Sequence, residues 1–69
     1  MSVPTSGEKF SELMHNIRQC QENAASLSHL ANANDSPQMA LAWLTISEQF
    51  KRMQHVMTMI AQGKYGRLN

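Results

Sequence analysis

Residues 35–62 read DSPQMALAWLTISEQFKRMQHVMTMIAQ: a capped turn, Asp35-Ser36-Pro37, and then 25 residues with neither Gly nor Pro. The large side chains in this stretch are Met39, Trp43, Ile46, Phe50, Met53, Met57 and Ile60, spaced 4, 3, 4, 3, 4, 3. That alternation is a heptad stripe, the period of a helix whose apolar edge has to be covered by another helix. The spacing predicts a helix over 37–62, with Gly63 as its stop.

Working back from the turn, the covering helix is in the same chain. From Glu8 to Ala33 there is again no Gly or Pro, and Phe10, Leu13, Ile17, Cys20, Ala24, Leu27 and Ala31 are spaced 3, 4, 3, 4, 3, 4. The positions between them are mostly polar, so this segment reads as an amphipathic helix over 8–33. Ser6 or Gly7 is the expected N-cap, with Glu8 in the first turn, where a carboxylate interacts well with the helix dipole. Between the helices, Asn32-Ala33-Asn34-Asp35-Ser36-Pro37 combines three signals. An Asn can take the left-handed conformation that ends a helix, an Asp or Ser can cap the next, and a Pro suits its first position. So short a connection makes the helices antiparallel.

In such a hairpin, residues at equal distances from the turn face one another. Phe10 then meets Ile60, Leu13 Met57, Ile17 Met53, Cys20 Phe50, Ala24 Ile46, Leu27 Trp43, and Ala31 Met39. Small residues oppose large ones, as dense packing requires. Glu8 and Glu12 fall beside Lys64 and Arg67 in the same register. The sequence therefore predicts an all-α fold, an antiparallel two-helix hairpin with a coiled-coil-like seam, about 39 Å long. Residues 1–7 read as a flexible lead-in and 63–69 as a basic tail.

Length and composition limit what the hairpin can be. A chain of 69 residues is one domain at most, and a domain of this size buries only roughly 60% of the surface its unfolded chain exposes. A single cysteine, Cys20, rules out an internal disulfide and fits a reducing compartment. With no signal-peptide pattern at the N-terminus and no long apolar run, the expectation is a cytoplasmic protein that does not insert into a membrane. A formal charge of +1 is too small to attract nucleic acid by field alone.

The chemistry of catalysis is missing from the pattern. His15, His29 and His55 have no second ligand at metal-binding spacing, and Cys20 has no neighbouring base. His15 and His55 fall opposite one another but read as solvated surface. No phosphate loop or nucleophile elbow occurs. The expectation is a non-enzymatic protein without cofactor or metal, acting through an interaction surface. The residues left over by the predicted seam are Leu41, Leu44 and Met59 on helix 2, with Met14 and Leu30 flanking on helix 1. Apolar residues rimmed by polar ones, methionine among them, are the expected partner-binding set.

Asp35-Ser36-Pro37-Gln38-Met39 followed by Trp43 resembles the turn of the E-type co-chaperones of bacterial type III secretion, small two-helix hairpins of about this length. Met39 stands where those proteins carry an aromatic. Asn34-Asp35-Ser36-Pro37 is also similar to the turn of the type III needle subunits, although Gly63 to Asn69 lacks their Ile-Lys-Asp stretch. The first resemblance implies a subunit that joins a larger helical-repeat chaperone and, with it, keeps an export substrate soluble. The alternatives are a homodimeric four-helix-bundle regulator or adaptor, and a needle or filament subunit.

Overall fold

The computed structural model describes residues 5–66, which form two helices, α1 (Ser6–Ala33) and α2 (Pro37–Ala61). Side-chain bonds between them fix the antiparallel arrangement: Ser28 Oγ donates to the Ala40 carbonyl at 2.8 Å, and Ser47 Oγ to the Gln21 carbonyl at 3.4 Å. The molecule is only 10 Å thick across its shortest dimension in Cα positions, one layer of helix. Both broad faces of the hairpin therefore meet solvent.

The ends of the helices follow from local chemistry, with two changes from the sequence expectation. The N-cap of α1 is Thr5, ahead of Ser6 and Gly7. Its Oγ1 accepts the Glu8 N–H at 3.1 Å, satisfying one of the four free donors at a helix start. At the turn it is Asp35, not an asparagine, that takes the left-handed conformation, with φ 58°. The Ser36 N–H reaches back to the Ala31 carbonyl at 2.8 Å and the Asp35 N–H to that of Asn32 at 3.2 Å. This pair of bonds is the Schellman closure, which satisfies orphan carbonyls at the end of a helix. Ser36 then occupies the N-cap of α2 with no side-chain cap bond, and Pro37 opens the helix, where a missing N–H costs nothing. The end of α2 repeats the closure: Gly63 has φ 78°, its N–H bonds Ile60, and the Lys64 N–H bonds Met59.

The larger correction concerns the seam. The predicted stripe is only in part what the helices bury against one another: Ala24, Ala31 and Met57 of it are buried, and Phe10, Ile17, Trp43, Phe50 and Ile60 half-buried. Its members Leu13, Cys20 and Leu27 on α1, and Met39, Ile46 and Met53 on α2, are all exposed. The buried residues are Ala24, Ser28 and Ala31 facing Ala40, Ser47 and Met57, with Gln21 and Gln54 half-buried beside them. Register along the hairpin is close to the expected one: the Ser28–Ala40 and Ser47–Gln21 bonds lie within two residues of equal-distance pairing, and Leu13, Ile17, Met53 and Met57 line one groove. What differs is rotation. Each helix is turned by about 50° about its axis, half the angle between successive residues.

The reason is the size of the side chains in the centre. Ala40, Ser47 and Gln54 recur every seven residues on α2, and Gln21 and Ser28 do so on α1. Small residues let the two backbones come close enough for a serine hydroxyl to reach the opposite main chain. Interaxial distance follows from the side chains at the contact. At that separation the larger Trp43 and Phe50 are only half-buried, along one edge of the seam.

The polar members of the seam are satisfied as well. Gln54 Nε2 donates to Gln21 Oε1 at 2.7 Å. Among the described residues no buried side-chain polar atom lacks a partner, which is the condition for polar groups to be tolerated in a core. The expected charge pairing at the open end does not form among the described residues. Glu12 is taken by Lys9 of its own helix at 3.4 Å, an exposed pair worth little. Arg67, the remainder of the predicted tail (67–69) and the first part of the lead-in (1–4) lie outside the described residues.

Candidate partner-binding face

Rotation of the seam changes which residues remain for a partner. Around each helix the heptad positions form columns. The innermost holds Gln21 and Ser28 on α1 and Ala40, Ser47 and Gln54 on α2. On one side of it come Phe10, Ile17, Ala24 and Ala31 against Trp43, Phe50 and Met57, all of them half-buried or buried. One column further out on the same side stand Leu13, Cys20 and Leu27 on α1, and Met39, Ile46 and Met53 on α2, all exposed, followed by half-buried Ile60. The two helices thus carry an unbroken apolar surface on one broad face. Leu13 keeps 51% of its surface exposed, Met39 55% and Met53 46%.

This face is shaped. An open groove of about 400 Å³ runs between the helices, lined by Leu13, Ile17, Met53, Val56 and Met57, with Arg52 at its edge. Apart from the Arg52 side chain, everything lining it is aliphatic or thioether. An arginine in that position can lay its methylenes along the groove and keep its guanidinium in water.

The other broad face has the opposite character. Arg18 is one heptad from Ala25, Glu22 from His15 and His29, Lys51 from Leu44, and Glu48 from Leu41 and His55. Every one of these charged residues and histidines is exposed. His15 and His55 share this side and are exposed. Among the described residues no cluster of three or more His, Cys, Asp or Glu is placed to hold a metal.

The residues expected from sequence to bind a partner are scattered by the fold. Leu41 and Leu44 come together in a shallow groove of about 190 Å³ near the turn, with Ser28, Asn32, Pro37 and Ala40, on the charged side of the seam. Leu41 is the more exposed of the two, at 64%. Met59 is half-buried, and lies about 22 Å along the helix axis from Leu44. Leu30 is exposed at 58%, beyond the outer edge of the apolar face. Met14 is half-buried, one heptad before Gln21 and therefore in line with the centre of the seam.

By sequence, Leu13, Leu27, Met39, Ile46 and Met53 belong to the hairpin's own core; in the structure they are exposed. The signal that could have released them was the heptad repeat of Ala40, Ser47 and Gln54, a second stripe beside the conspicuous one. Comparison with protein-family models, curated proteins and solved structures returns no significant match.

Proposed function

We propose that the chain is a non-enzymatic helical interaction protein that works by laying its apolar face, from Leu13 and Leu27 to Met39, Ile46 and Met53, against other helices. The observation that carries this is the absence of a core. Among the described residues the buried apolar ones are Ala24, Ala31, Ala40 and Met57, and no large side chain is fully buried. A domain normally packs two layers of secondary structure around one core, and the described residues form one layer. The place of a second layer is on the apolar face.

The finer reading is a co-chaperone subunit of type III secretion, in which the second layer comes from a larger helical-repeat chaperone that also holds an export substrate. It draws on the resemblance of the turn from Asp35 to Met39 with Trp43, and on the uncovered face beside it. Met39 and Met53 suit such a role, because unbranched thioether side chains re-pack against differing surfaces.

Photo-crosslinking tests both levels. A photoreactive phenylalanine analogue is placed at Met53 on the apolar face, and in a second variant at Glu48 on the charged face, and the adducts formed in the native cell are identified by mass spectrometry. Adducts at Met53 and few at Glu48 are expected. The reverse pattern would refute the apolar face as the binding surface. Adducts at Met53 that never contain a second protein would refute the co-chaperone role.

A further inference from the structure

We infer that a second copy of this chain covers the apolar face, related by a two-fold axis, so that two hairpins stack face to face as a four-helix bundle. The inference rests on the proposed reading that this face is the binding surface, and it names a second copy as the occupant of that face when no larger partner is bound.

Surface area is the first argument. A compact monomer of this mass is expected to expose about 4,400 Å², whereas the chain exposes 5549 Å² at 7.8 kDa. Leu13, Leu27, Met39, Ile46 and Met53 keep 51%, 39%, 55%, 37% and 46% of their surface exposed, and with Cys20 and the half-buried residues behind them full cover would take up to about 650 Å² per copy, a standard-sized patch on each partner being about 800 Å². A pair would remove about 1,300 Å² in all, within the size of a stable interface. A second copy on this face therefore removes part of the excess surface, and covers the part that is apolar.

Charge is the second argument. A two-fold interface sets each patch against itself, so any charge on it meets its own kind. Here the carboxylates Glu22 and Glu48 and the cations Arg18 and Lys51 lie on the other side of the seam. Arg52 stands at the edge of the groove, where it stays in water. The face is neutral and self-compatible. It also has the amphipathic layout of a bundle subunit, whose helices turn one apolar edge inward.

Cys20 supplies a built-in reporter. It is the only cysteine, it is exposed, and it sits one heptad from both Leu13 and Leu27, so a second copy would cover it. The test is sedimentation equilibrium of the full chain across the micromolar range, with the rate of Cys20 alkylation measured in parallel. The expected mass is twice 7.8 kDa, with alkylation slowing as concentration rises. Met53→Glu and, independently, Leu13→Glu are expected to return the mass to that of a monomer and restore fast alkylation. Both replace exposed side chains, and helicity by circular dichroism confirms that each variant folds. Leu41→Glu is expected to change neither reading.

A monomer throughout, with Cys20 reactive, overturns the second copy as occupant. Met53 adducts to another protein would then keep the face as a binding surface for a different chain, and their absence would remove both readings. A dimer broken by Leu41→Glu and indifferent to Met53→Glu overturns the inference in favour of the charged face.

Discussion

Enlarging Ser47 is the sharpest probe of the seam. Ser47 is 3% exposed and donates to the Gln21 carbonyl at 3.4 Å. One heptad nearer the turn, Ala40 accepts from Ser28 at 2.8 Å, so the backbones are close along this whole half of the hairpin. Ser47→Leu replaces the hydroxyl by an isopropyl group with nowhere to go. Overpacking of this kind costs about 1–3 kcal/mol. If the helices part to admit the side chain, the Ser28 bond to Ala40 lengthens too, adding about 1 kcal/mol.

A domain of this length has a total stability of about 3–10 kcal/mol, so a loss of about 2–4 kcal/mol is a large share of it. At about 4–8 °C per kcal/mol, the melting temperature should fall by at least about 10 °C. Ser47→Ala, which only removes the hydroxyl, should stay within about 1 kcal/mol of the original. Urea unfolding followed by circular dichroism, at several protein concentrations to separate self-association, measures both. In the alternative geometry, with the stripe from Met39 to Ile60 between the helices, Ser47 lies on a wet flank and leucine there is harmless. An unchanged or raised midpoint for Ser47→Leu would therefore refute the rotated seam.

Three further outcomes follow from single contacts. Gln21 and Gln54 bond each other at 2.7 Å across the seam, and a double-mutant cycle to alanine should give a coupling of about 0.5–1.5 kcal/mol; additive effects would mean the bond contributes nothing. Asp35 has φ 58°, so Asp35→Val should lower stability by about 1–2 kcal/mol while Asp35→Gly should not, as read by thermal melts of the two variants. Thr5→Ala removes the cap on the Glu8 amide and should cost about 1 kcal/mol, seen as faster hydrogen exchange confined to the first turn of α1.

Much of this protein follows from its order of residues. The gap-free runs on either side of Asn34-Asp35-Ser36-Pro37 require two helices, and a turn of that length requires them antiparallel. Equal distances from the turn bring Leu13, Ile17, Met53 and Met57 to the same stretch of the hairpin, where they line one groove. These properties are local or nearly so: helix limits depend on a few neighbouring residues, and register depends on the turn that joins the two runs.

Rotation about the helix axes is different in kind. The apolar and small positions on each helix make a band three columns wide, and two helices can bury only two of the three. Periodicity cannot choose between the inner pair and the outer pair, since both repeat every seven residues. Only the fold compares their energies. Small Ala40 and Ser47 allow a close approach in which Ser28, Ser47, Gln21 and Gln54 are all hydrogen-bonded. That approach excludes the larger outer column, Leu13, Leu27, Met39, Ile46 and Met53, from the space between the helices and leaves it on the surface.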